Sequence, residues 1–161
     1  MRITSYTGVW LSTDIKGGNI LVDTGGICKI ADFGCSKYMS DLQKKYSLKG
    51  SPYWMAPEVI LQEKYERFAD IWSLGCTIIE MSTGRPPYAE ENQPISAMLR
   101  VAHSTEPPKF PKHLSEEGKN FLSYCFQINP RKRLNVRKLL EHPFVSNLRP
   151  TKYDSLRYLS K

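Results

Sequence analysis

A chain of 161 residues, 40% hydrophobic and 24% charged, is long enough to bury the core of one domain. No run approaches the roughly 18 apolar residues of a membrane span, and positions 1–11 lack the charged-then-apolar order of a signal peptide, so a soluble cytoplasmic protein is expected. The formal charge of +7 is spread along the chain without interleaved aromatics for stacking bases, which favours solvated helix faces over a nucleic-acid partner.

In chain order, positions 1–11 form an atypical leading segment. Asp14-Ile15-Lys16-Gly17-Gly18-Asn19 follows, and then the short β-rich runs Asn19-Ile20-Leu21-Val22-Asp23 and Ile27-Cys28-Lys29-Ile30-Ala31, separated by Thr24-Gly25-Gly26. These read as a tight hairpin, with Lys29 an ordinary outward strand residue. Antiparallel pairing brings the start of one strand beside the end of the other, so Asn19 is expected near Asp32. Positions 36–50 are polar and without periodicity, and predict a mobile surface loop of functional rather than linker character, ended by Gly50-Ser51-Pro52-Tyr53-Trp54-Met55.

Beyond position 57 the pattern turns helical. The stretch 68–81 is apolar nearly all round and predicts a buried central helix stopped by Thr83-Gly84-Arg85-Pro86-Pro87. Asp70 near its start must then be paired or hydrogen-bonded, or else serve as a cap. Further helices are expected at 95–103, at 115–128 behind the cap Ser115-Glu116-Glu117, and at 136–142 before Pro143. A polar tail fills 146–161. The four cysteines, Cys28, Cys35, Cys76 and Cys125, show no metal or disulfide spacing and are expected to be reduced and mostly buried.

The chemistry lies in Asp14, Asn19 and Asp32. Carboxylates and an amide in this order and spacing would hold magnesium and orient a hydroxyl for movement of a γ-phosphate. Together with Ala56-Pro57-Glu58, Asp70-Ile71-Trp72-Ser73-Leu74-Gly75 and Arg133, the ordered set resembles the C-terminal lobe of a eukaryotic protein kinase, with the wording of mitogen-activated protein kinase kinase kinases. The resemblance covers about 12–145. It implies a mainly α fold, a protein-kinase-like C-terminal lobe with a small β-hairpin at the catalytic loop and the N-terminal β-rich lobe missing.

The resemblance also implies roles and partners. Asp14 and Lys16 are catalytic, Lys16 also steadies the γ-phosphate of ATP, and Asn19 and Asp32 bind Mg2+. Ser51 meets the substrate and the catalytic Asp, while Ser47 and Ser40 are activating phosphosites. Glu58 pairs with Arg133, and Asp70 holds the backbone of the catalytic loop. The substrate would be a protein Ser or Thr, as in a downstream kinase.

The departures point the other way. No Gly-x-Gly-x-x-Gly or strand lysine precedes Asp14, and Ser12-Thr13 stand where the family has His-Arg. These features imply weak or absent activity and favour the alternative of a non-catalytic lobe that binds substrates or partner kinases. Loss of the family's supporting helix would further expose apolar surface on the central helix around 71–79 and leave the isolated chain marginally stable.

Overall fold

Residues 67–84 contain the element around which the rest is arranged. The computed structural model describes residues 10–11, 14–32, 37–38, 50–63, 67–91 and 93–146. Its β-strands are β1 (Trp10–Leu11), β2 (Ile20–Val22), β3 (Cys28–Ile30) and β4 (Lys37–Tyr38). Its α-helices are α1 (Pro57–Ile60), α2 (Phe68–Thr83), α3 (Pro94–His103), α4 (Glu116–Cys125), α5 (Val136–Leu140) and α6 (Pro143–Ser146). Short 3-10 turns at Gly17–Asn19, Pro52–Trp54 and Pro130–Lys132 complete a mainly α architecture.

Helix α2 buries Ala69, Ile71, Trp72, Ser73, Gly75, Cys76, Thr77, Ile78 and Ile79. Residues spaced this closely occupy every face, so the helix is covered on all sides as far as Ile79, and it ends where Gly84 adopts φ +73° and returns its N–H to Glu80 O at 2.8 Å. The cover comes from α4 and from the turns at Gly17–Asn19, Pro52–Trp54 and Pro130–Lys132. The exposed apolar surface expected around 71–79 is therefore not there. Among the described residues, exposed large apolar side chains occur on the hairpin, where Leu21 and Val22 are 58% and 63% exposed, at Met81 beyond this stretch of α2, at 70%, and singly on other helices.

The α2–α4 contact is close enough to need a glycine. A Cβ on Gly75 would stand 2.9 Å from Phe126 Cζ and 3.0 Å from Cys125 Cβ. We expect Gly75→Val to cost about 1–3 kcal/mol by overpacking, read as a fall in the urea midpoint at unchanged slope. An unchanged midpoint would show that α4 can slide aside. Trp72 lies edge-on to Phe126 with centroids 4.9 Å apart, and Ala97, Val101, Leu122 and Leu139 close the same core.

The hairpin forms as the turn chemistry dictates. Strands β2 and β3 pair antiparallel with Ile20 opposite Ile30, Asp23 O accepts from Gly26 N at 2.9 Å, and Gly26 takes the left-handed φ of +80° that glycine permits. Asp23 Oδ1 further accepts from the N–H groups of Gly25 and Ile27, which fixes the turn locally. Lys29 is exposed, as an outward strand residue should be.

One expectation about the chain between hairpin and helix needs revision. Residues 37–38 are not structureless: they form β4, which pairs antiparallel with β1, Trp10 opposite Tyr38. A pairing partner distant in sequence leaves no periodic trace in so short a run. Ser12, Thr13, Phe33, Gly34, Cys35, Ser40, Ser47 and the tail from 147 lie outside the described residues.

Helix α4 is shorter than the 115–128 pattern, ending at Cys125 with Phe126 as its cap residue, although Ser115 accepts from Gly118 N as an N-cap should. Helix α5 stops at Leu140, and Pro143 opens α6 instead of merely ending the preceding helix.

The cysteines divide by environment. Cys76 and Cys125 are buried, and burial pushes their thiols up, Cys125 to about 12. Cys28 is exposed, contrary to the burial expected of it, because every residue of β3 is exposed. Iodoacetamide on the native chain should therefore modify Cys28 well before Cys76 or Cys125, as followed by peptide mass spectrometry. Equal rates at the three would contradict this packing.

Candidate active site

Asp14 and Asn19 are both 8% exposed, held at the turn that leads into β2. Asn19 Nδ2 donates to Asp14 O at 2.8 Å and to Asp14 Oδ2 at 2.9 Å, while Lys16 Nζ reaches Oδ2 at 3.1 Å. The other carboxylate oxygen, Oδ1, accepts the Ser51 N–H at 3.0 Å. Lys16 Nζ also donates to Ser51 Oγ at 2.6 Å, closing a small polar ring between segments 37 or so residues apart.

This environment decides the charge of Asp14. Burial alone would raise its pKa, but donors from Ser51, Lys16 and Asn19 and the ammonium of Lys16 outweigh it, so the carboxyl lies below its ordinary value of 3.8. At neutral pH it is a carboxylate.

Asp32 comes beside this ring by strand pairing. The Ala31 N–H donates to Asn19 O at 2.7 Å, one step beyond the Ile20–Ile30 pair, so Asp32 follows directly. It is exposed and adopts φ +59°, a left-handed conformation uncommon outside glycine and costing of order 1 kcal/mol or more, a strain that gathers at functional sites. Because the Asn19 amide nitrogen is spent on Asp14, its oxygen is the atom available to a cation. An amide oxygen and a carboxylate are hard donors that suit Mg2+, which takes few protein ligands and completes its shell with phosphate and water. The residues present fit that ion. The fit rests on these oxygens, since no group of three or more His, Cys, Asp or Glu suited to a metal occurs among the described residues.

Glu58 and Arg133 form a separate, structural pair. Arg133 Nη1 and Nη2 donate to Glu58 Oε1 and Oε2 at 2.6 and 2.8 Å, with Phe68 O and Gln127 O taking further donors at 2.8 Å. The guanidinium also lies 5.1 Å from the Trp72 ring centroid. Arg133 is thus a buried clamp, unlike its exposed neighbours Arg131 and Lys132 in the basic knot. Asp70 stands half-buried in the first turn of α2, whose cap position is Arg67.

One participant escaped the sequence reading. Glu80 Oε2 accepts from Gly17 N at 2.9 Å and from Trp54 Nε1 at 3.1 Å, joining the Asp14 turn to the segment that carries Ser51. The signal was present, since Glu80 is the one charged residue between Ile71 and Thr83 of an otherwise apolar helix.

The chain is similar in sequence to known proteins. The chain is 48% identical over 136 residues to mitogen-activated protein kinase kinase kinase A of Dictyostelium discoideum, covering 84% of this chain and 14% of that protein. It is 48% identical over 147 residues to mitogen-activated protein kinase kinase kinase 3 of Arabidopsis thaliana, covering 89% and 23%. With the Arabidopsis mitogen-activated protein kinase kinase kinase YODA it shares 50% over 138 residues, covering 85% and 16%. The chain therefore spans less than a quarter of the length of these relatives. The protein kinase domain matches residues 9–145, a span that takes in the Asp14 ring, the Asp32 strand end and the Glu58–Arg133 clamp, and the chain belongs to the protein kinase family.

Proposed function

We propose that this chain supplies the catalytic-loop side of a serine/threonine protein kinase of the mitogen-activated protein kinase kinase kinase kind. It would act in the cytoplasm, moving the γ-phosphate of ATP to a Ser or Thr of a protein substrate such as a downstream kinase. The observation that carries this reading is the convergence of Lys16, Asn19 and Ser51 on the two oxygens of Asp14.

Each residue then has a task. Oδ2 of Asp14 already accepts from Asn19 and Lys16, whereas among the described residues Oδ1 accepts only from Ser51, so a substrate hydroxyl would hydrogen-bond to Oδ1. A carboxylate of lowered pKa is a poor base before transfer begins. It orients the hydroxyl and receives the proton late, as a loose phosphoryl-transfer transition state requires. Lys16, anchored between Asp14 and Ser51, places a cation where charge grows on the moving group. Asn19 and Asp32 would hold Mg2+, which neutralises phosphate charge when bound. Ser47 and Ser40 would be phosphorylated to regulate the loop, and Asp70 would brace the Asp14 turn.

A second reading, a lobe that binds kinases or substrates without transferring phosphate, is favoured by Ser12-Thr13 in place of His-Arg. Incubation with Mg2+ and γ-labelled ATP and a Ser/Thr-rich protein substrate, followed by phosphoamino-acid analysis, separates the two. Phosphoserine or phosphothreonine above the level given by Asp14→Asn is expected. Equal labelling by both chains would leave only the binding reading.

A further inference from the structure

An open cleft of about 500 Å3 lies between the loop that leaves α2 and the loop that leaves α3. Pro86, Pro87 and Pro108 line it, together with Ile79 and Tyr88, which are 4% and 7% exposed. Proline rings have no rotamers to lose, so walls of this kind stand preformed for a ligand. Tyr88 is held in the left-handed region at φ +61°, with the Arg100 guanidinium 5.0 Å from its ring centroid.

The charges around the cleft are unevenly matched. Arg100 donates to Glu90 Oε1 at 2.8 Å and to Glu91 Oε1 at 2.9 Å, so the acids on this side are already engaged. Arg85 and Lys109 line the same cleft, are exposed, and have no carboxylate partner among the described residues. Arg85 follows the C-cap of α2, where a cation is ordinarily favoured by the helix dipole. The carbonyls of that turn have other donors, however. Thr83 Oγ1 donates to Ile79 O at 2.8 Å, Gly84 N–H donates to Glu80 O at 2.8 Å, and His113 Nε2 lies 3.0 Å from Ser82 O. Neither capping nor ion pairing within the described lobe accounts for the Arg85 guanidinium.

The cleft is also joined to the segment that carries Ser51. Glu90 lines it, and the neighbouring Glu91 O accepts from Tyr53 Oη–H at 3.3 Å, in the turn capped by Ser51. We propose that this cleft docks an acidic stretch of the protein substrate, remote from the reacting hydroxyl, with Arg85 and Lys109 pairing its carboxylates and the proline walls covering an apolar side chain between them. The kinase reading is what makes the occupant a substrate, whereas the docking itself is measurable without catalysis. Charge selects an anion, and the apolar walls select a peptide. Tyr88, the aromatic residue of the lining, is buried and faced by Arg100, so it offers no open ring on which a nucleic-acid base could stack.

The test titrates the full chain with the synthetic peptide Glu-Pro-Leu-Glu-Glu and its uncharged counterpart Gln-Pro-Leu-Gln-Gln, followed by amide shifts in NMR. The acidic peptide should shift the amides of Arg85, Ala89 and Lys109, and the uncharged one should not. Arg85→Glu/Lys109→Glu should weaken binding about tenfold, the scale of two exposed ion pairs, with the amides of Ile78 and Ile79 unmoved as a report of an intact α2. Lys138→Glu, at an exposed position of α5 outside the cleft, should change binding little. In a chain that transfers phosphate, joining the acidic peptide to a serine peptide through Gly-Ser linkers of graded length should lower KM about tenfold at unchanged kcat, and the double charge reversal should remove that gain. Equal binding by the uncharged peptide, equal weakening in Lys138→Glu, or shifts confined to other surfaces overturns the proposal. The same shifts from single-stranded RNA at lower concentration overturn it in favour of a nucleic acid. Cleft shifts without a KM gain at any linker length overturn the substrate assignment. If the wild-type chain transfers no phosphate to any serine peptide, the kinase reading falls, and the shifts still decide whether the cleft takes an acidic peptide.

Discussion

Replacing Arg133 with Leu is expected to destabilise the chain by about 3–5 kcal/mol, because removing one partner strands a buried charge. Glu58 is 3% exposed and would keep its carboxylate without either guanidinium donor. Phe68 O and Gln127 O would lose their donors as well, and the face of Trp72 its cation. Arg133→Lys should recover little, since one ammonium cannot reproduce the two parallel bonds. The double replacement Glu58→Leu/Arg133→Leu should be less damaging than Arg133→Leu alone, because no charge is then left buried. Urea unfolding of the set reads all of this. A loss below about 1 kcal/mol in Arg133→Leu would place the pair among ordinary surface ion pairs.

Asp14→Asn should reduce phosphate transfer by about 10²–10⁴-fold, the range for loss of a positioned proton acceptor. Asn has nearly the same shape, and its side-chain oxygen can still take the Ser51 N–H. What disappears is the charge that holds Lys16 at 3.1 Å and that, in the proposed transfer, would receive the hydroxyl proton. The fall should therefore appear in kcat more than in KM for ATP. The pH dependence follows from the lowered pKa. A carboxyl depressed on folding contributes stability that is complete above its ordinary value of 3.8 and is lost as pH falls through the lower folded value. Acid titration of thermal stability should thus show Asp14→Asn less sensitive than wild type below about pH 4. Equal acid sensitivity would mean that the three donors do not hold Asp14 in its charged form.

Much of this arrangement was legible because it is local or periodic. The hairpin declared itself through Thr24-Gly25-Gly26, and α2 through apolar residues on every face. Pairing across that hairpin also foretold that Asp32 would lie next to Asn19. The misses have a common physical origin in contacts between distant segments. Strand β4 exists because β1 pairs with it, the cover over α2 comes from turns far along the chain, and Cys28 is exposed because β3 carries no buried residue. Glu80 was missed for the same reason. Its meaning lies in Gly17 and Trp54, at sequence separations of 63 and 26 residues.

The Glu58–Arg133 clamp also sets an order of events in synthesis. Its partners are 75 residues apart, so at about 5–20 residues per second the ribosome delivers Arg133 several seconds after Glu58. Until then Glu58 is an acid that cannot enter the core, and α1, which follows the Ser51 segment, has no anchor on that side. Closing so long a loop is entropically slow compared with winding α2 or turning the hairpin. The nascent chain can therefore form its Asp14 turn and, once α2 and α3 are made, seat the Ser51 segment, whereas the Glu58 carboxylate of α1 gains its partner only when Arg133 follows.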